Sequence, residues 1–109
     1  MPERRFEEHT VVVLRRPSDA PTFTEEELDD LQERHLAHLD GLREQGVLLA
    51  NGPFRDQDDE MLRGICVFGA SADMARRLMA DDPMVRARRL EAVVVTWLAP
   101  QGDVRFPRS

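Results

Sequence analysis

The sequence predicts an α+β fold of order β-α-β-β-α-β, the split βαβ ferredoxin-like arrangement, with one antiparallel sheet and two helices on one of its faces. Three observations predict it. Four apolar, β-branched segments, at His9–Arg16, Val47–Phe54, Met61–Gly69 and Leu90–Pro100, read as strands. Two segments with helical periodicity lie after the first and third of them. No connection carries a glycine-serine linker, a repeat or a low-complexity tract, so residues 1–109 read as one domain with a core of about 9–98 and short irregular tails.

The first strand, "HTVVVLRR", is rich in β-branched residues and ends at Pro17. "PSDAPTF" is a loop, after which Thr24 and Glu27 make a capping box, with Glu25 and Glu26 adding acid to the first turn. The long helix that follows is expected to run to about Gln45 and to stop at Gly46. Its apolar stripe is Leu28, Leu31, His35, Leu39 and Leu42, at steps of three and four, so an imidazole stands where a leucine is expected.

"VLLANGPF" is the second strand, closed by Gly52-Pro53. "RDQDDE" is an exposed loop that lacks the glycine and distal glutamate of a calcium loop. Met61–Gly69 is the third strand and pairs with the second as a hairpin. Ser71 caps the second helix, with Ala75, Leu78 and Met79 facing inward. Asp82-Pro83 opens a short turn or helix carrying Arg86, Arg88 and Arg89, and "LEAVVVTWLAP" is the fourth strand.

Val11–Leu14 and Val93–Val95 are continuous apolar runs, the pattern of strands covered on both faces, whereas helices in this topology cover one. A second copy of the chain, packed sheet to sheet across a twofold axis, is the expected cover, giving a homodimer through the sheet face. Trp97 and Phe68 are expected in the core or in that interface.

Composition narrows the function. With 109 residues, 41% hydrophobic and 33% charged, the chain can bury a core, and its formal charge of −6 argues against nucleic acid as a partner. No apolar run approaches the roughly 20 residues of a membrane span, and the opening lacks a signal-peptide core, so no membrane partner and a cytoplasmic location are expected. Cys66, the single cysteine, reads as a small buried hydrophobe. All 15 basic residues are arginine and tyrosine is absent, which excludes Schiff-base chemistry, the P-loop lysine and a phenolic acid. Proton transfer falls to the carboxylates and to His9, His35 and His38.

"RHLAHLDGLREQGVLLANGPF", then "GICVF", "ADDPMV" and "EAVVVTW", in that order and spacing, resemble the YciI-like (YCII-related) family of the dimeric α/β-barrel superfamily over about His9 to Leu98. The resemblance implies a ferredoxin-like dimer with a histidine on the first helix, matching His35, and an aspartate in an Asp-Pro step after the second, matching Asp82. It also implies activity like that of a member that removes chloride from chlorinated hydroxyquinols with such a pair and without metal or organic cofactor. The chain departs from that pattern in carrying a second histidine, His38, and a doubled acid, Asp81-Asp82.

From the residues themselves, an imidazole is the side chain that exchanges a proton near neutral pH, and a carboxylate beside it fixes its tautomer and stabilises its cation. The catalytic candidates are therefore His35 and Asp82, and the substrate-binding candidates are His38, Gly52, Pro53 and Arg86. Blander roles stand beside each. His35 can be a core or interface residue satisfied by a hydrogen bond. Asp82 before Pro83 is an ideal helix cap. The arginines can be a solvated face, and His9 has no clear partner. His35 and His38, three residues apart, could hold a metal, but no telling third ligand accompanies them, so neither metal nor cofactor is expected. The reading is a small cofactor-independent lyase or isomerase acting on a small hydroxylated or anionic compound. The alternatives are a non-catalytic dimeric binding module or a cofactor-free monooxygenase.

Overall fold

The computed structural model describes residues 5–107, and the remaining ends of the expected tails, residues 1–4 and 108–109, lie outside the described residues. The element order is β1 (Phe6–Arg15), α1 (Glu25–Glu44), β2 (Leu48–Pro53), β3 (Leu62–Phe68), α2 (Ala72–Ala80), α3 (Pro83–Arg86) and β4 (Glu91–Pro100). The strands form one sheet in the order β2-β3-β1-β4, antiparallel throughout, as the β-α-β-β-α-β pattern requires.

The alternation of side chains along β1 divides the sheet into two unlike faces. Val12 stands opposite Cys66 and Val94, and Leu14 opposite Gly64 and Ala92, and these residues meet the helices. Leu31, Leu39 and Leu42 of α1 with Ala75 and Met79 of α2 close the core over them. The expected stripe of α1 is therefore its buried face, and His35 is buried within it.

Val11 and Val13 turn to the other face with Ile65, Val67, Val93 and Val95. There the expectation of strands covered on both sides is not met within one chain. Val93, Val95 and Trp97 remain 40%, 43% and 41% exposed. Phe68 is in the core, whereas Trp97 is not.

The caps explain where the helices begin. The Thr24 hydroxyl accepts from the Glu27 backbone N–H at 3.1 Å while the Glu27 carboxylate accepts from the Thr24 N–H at 2.9 Å. Hydrogen bonds from Thr24 to the Glu27 carboxyl, from its backbone N–H foremost and then from its hydroxyl, hold that carboxyl below its ordinary value. Thr24→Ala removes the hydroxyl and is expected to destabilise the fold by about 1 kcal/mol, measurable by urea denaturation; an unchanged midpoint would show that tertiary packing alone starts α1. At the other end Gly46 takes φ 79°, the left-handed conformation in which a side chain is strained.

One boundary differs from the sequence reading by three residues, for a visible reason. β1 begins at Phe6 instead of His9, because β4 runs on to Pro100 and offers Phe6, Glu7 and Glu8 a partner in Pro100, Ala99 and Leu98. Glu7 and Glu8 lack β-propensity of their own and are strand by pairing. Residues 101–107 are irregular, and Phe106 returns to the open face, 5.5 Å from the His9 ring.

A candidate active site between the long helix and the hairpin

Asp82 is held by three elements at once. It ends the turn after α2, caps α3, and lies beneath α1. Its Oδ1 accepts from the Met84 backbone N–H at 2.8 Å, with Pro83 in the first helical turn where a missing N–H costs nothing. Its Oδ2 is 2.6 Å from His35 Nδ1. Asp82 is fully buried and His35 is 8% exposed. With both carboxylate oxygens engaged, the assigned direction is Nδ1–H donating to Oδ2, which leaves the lone pair on Nε2.

Nε2 makes no hydrogen bond among the described residues and is not enclosed, because His35 lines a cavity of about 490 Å³. That volume suits a small organic molecule. The cavity lies between α1 and the β2–β3 hairpin. Leu28 and Leu39 form its helix side, Gly52, Pro53, Gly64 and Ile65 its hairpin side, and Met84 and Leu90 its end. Gly64 is required by a close approach, since a Cβ there would stand 2.9 Å from the Gly52 carbonyl oxygen. The backbone crossing that excludes a side chain also keeps that side of the cavity open.

The structure therefore brings together His35, Asp82, Gly52 and Pro53, with Asp82 behind the imidazole and out of the cavity lining. It does not bring His38 and Arg86 there. The Nε2–H of His38 donates to the Leu78 carbonyl at 2.8 Å, tying α1 to α2, and this hydrogen bond turns the ring away from the cavity. Arg86 is exposed at the end of α3 and is not a lining residue. Among the described residues no group of three histidine, cysteine or acidic side chains could hold a metal ion. His9 lies on the open sheet face, 5.3 Å from Trp97.

The charged residues of the lining are Arg16, Arg63, Arg89 and Asp29, and of these the sequence singles out Arg89 alone, in the cluster with Arg86 and Arg88. They come from β1's end, from β3, from the turn before β4 and from α1. No local motif connects them, so no spacing rule could have found them.

Cys66 borders the cavity but is 1% exposed. Burial first, then the neighbouring Asp82 carboxylate, pushes its thiol up to about 12 from 9.0. It is no nucleophile at neutral pH. A raised value means the folded state holds the thiol proton that the unfolded chain releases above pH 9, so stability falls as pH rises from 9 towards 12, by up to about 1.4 kcal/mol per unit. With no lysine or tyrosine titrating in that window, urea denaturation at pH 8 and pH 10.5 should show the loss in the native protein and not in Cys66→Ala. Equal loss in both would contradict it.

No curated protein matches the sequence. The solved structure of 5-chloro-2-hydroxyhydroquinone dehydrochlorinase (TftG) from Burkholderia phenoliruptrix AC1100, in complex with 2,5-dihydroxybenzoquinone, is similar in fold, with a TM-score of 0.59 and 19% sequence identity over 82% of this chain and 92% of that one. The YCII-related domain model matches residues 10–98, which run from β1 through the site to β4. The chain belongs to the YCII-related domain family.

Proposed function

We propose that the chain is a small cofactor-independent enzyme, a lyase or isomerase, in which His35 moves a proton and Asp82 orients and stabilises it. The supporting observation is the 2.6 Å contact between a buried carboxylate and an imidazole whose second nitrogen borders a cavity. The substrate carries an acidic C–H or O–H. Nε2 takes that proton, and the electron pair left behind forms a new π bond. In a lyase the pair expels a leaving group as its anion, and the imidazolium later gives its proton to water. In an isomerase the same proton returns at a different carbon. In either case Asp82 faces a cation at the moment it forms. That TftG is a dehydrochlorinase seen with a hydroxylated quinone supports this class of small molecule.

The functional unit on this reading is a homodimer joined through the open sheet face, where Val93, Val95 and Trp97 lie uncovered. His35 is the decisive residue for the chemistry. His35→Asn is expected to fold and to lower turnover by about 100-fold or more, the scale of general-base catalysis. The assay follows consumption of hydroxylated aromatic and carbonyl compounds by chromatography. A compound bound but recovered unaltered would make the cavity a binding module, and undiminished turnover in the variant would refute the role of His35.

A further inference from the structure

Three arginines line the cavity from three separate elements. Arg16 follows β1, Arg63 lies in β3 and Arg89 stands in the turn before β4. A chain of net charge −6 has acids to spare, and Arg15, Arg34, Arg76 and Arg88 each reach one, at 2.6, 3.0, 2.8 and 2.9 Å. Among the described residues, no carboxylate lies within ion-pair distance of Arg16, Arg63 or Arg89. Among the described residues, Arg63 donates only to the Glu60 carbonyl, at 3.1 Å. Among the same residues, the enclosed Nε of Arg16 has no hydrogen-bond partner.

An enclosed donor without an acceptor is a cost that a folded protein rarely carries, and mutual repulsion among like charges adds to it. Burial, then Arg89, then Arg63 together push the Arg16 guanidinium below its ordinary value. Asp29 is the carboxylate in the lining, and it pairs with none of the three; Asp82 is occupied by His35 and Met84. The cavity thus holds a cationic rim over walls of Leu14, Leu28, Leu39, Met84 and Leu90. A neutral ligand would leave that rim uncompensated.

We infer that the substrate is a small organic acid, a carboxylate on an apolar or aromatic body, whose carboxylate is held by Arg16, Arg63 and Arg89 while its body lies along the leucine-lined wall towards His35. Guanidinium matches a planar carboxylate through paired hydrogen bonds, and three of them from rigid, separate elements fix its orientation. The inference rests on the reading that this cavity is the reaction site, and it adds the charge of the substrate to that reading.

Binding of 2,5-dihydroxybenzoate and of hydroquinone, the related ring without the carboxylate, separates the possibilities. Calorimetric titration of His35→Asn avoids turnover. The acid is expected to bind at least about tenfold tighter at low salt, with the advantage shrinking as salt is raised. Arg16→Gln and Arg89→Gln should each reduce the preference and together abolish it, while Arg77→Gln, on the exposed side of α2, leaves it intact. Where Arg16→Gln fails to give a native circular dichroism spectrum, Arg63→Gln, at an exposed side chain, and Arg89→Gln carry the test. Equal affinity for the two compounds, binding of neither, or a preference that survives these substitutions overturns the assignment. The outcomes separate the two readings. Arginine-dependent binding of acids that are never converted would sink the enzymatic reading alone, and His35-dependent turnover of neutral compounds without an acid preference would sink this inference alone.

Discussion

Asp82→Ala is expected to lower the stability of the fold by about 3 kcal/mol, and Asp82→Asn by less than about 1 kcal/mol. Three losses add in the alanine variant. The cap of α3 loses its acceptor, worth about 1 kcal/mol. The Nδ1–H of His35, 8% exposed, loses its partner, at about 1–3 kcal/mol. The fully buried carboxyl also leaves a void among Cys66, Met79 and Met84, each of them buried. For a chain of this length the thermal midpoint should fall by roughly 10–15 °C. Asparagine keeps the cap with its one oxygen and presents an amide N–H to Nδ1, which the other imidazole tautomer accepts, so it separates the structural share of Asp82 from its charge. A double-mutant cycle with His35→Ala isolates the pair. Equal destabilisation by alanine and asparagine would show that the negative charge, and not the hydrogen-bonded shape, holds the turn in place.

That one residue serves as cap, hydrogen-bond anchor and candidate catalyst explains how much of the site was legible in the sequence. Asp82-Pro83 is a local signal, and so is a histidine in a leucine stripe; both report on their own elements. That they meet at 2.6 Å follows from α3 packing against α1, which the order of elements implies but no spacing states. The glycine-proline step that closes β2 at Gly52-Pro53 is legible in the sequence as a strand end, and it lies in the cavity lining.

His38 and Arg86 show the limit. Each lies close in sequence to a residue of the site. His38 is one turn beyond His35 on a helix of 3.6 residues per turn, enough of a rotation to face α2 and not the cavity. Arg86 sits in a four-residue helix whose axis points it to solvent, while Arg89, three residues later and beyond the left-handed Arg88, turns inward. The arginine rim was illegible because it assembles residues 16, 63 and 89. Tertiary approach made it. The open sheet face was legible as a contradiction: strands patterned for burial on both sides in a topology that buries one.

That contradiction yields the second large effect. Val95→Arg is expected to convert a dimer into a monomer, raising its dissociation constant by at least about 10³-fold. Val95 stands opposite Val11 on β1 and is 43% exposed, in a patch continued by Val93 and Trp97. A stable interface takes about 800 Å² from each partner, roughly a tenth of the 7761 Å² surface of this chain. In a twofold interface every substitution occurs twice, so two unpaired guanidinium groups would be taken out of water together, at several kcal/mol each. Sedimentation equilibrium should give twice the chain mass for the native protein and for Glu33→Arg, which adds the same guanidinium with a larger charge change on the exposed side of α1, and the mass of one chain for Val95→Arg. The variant monomer should keep its helical circular dichroism, because the Val95 side chain lies on the face away from the buried cluster that holds the helices to the sheet. A native protein that sediments as a single chain at millimolar concentration would leave Val93, Val95 and Trp97 facing water, and the uncovered face would then require a different partner.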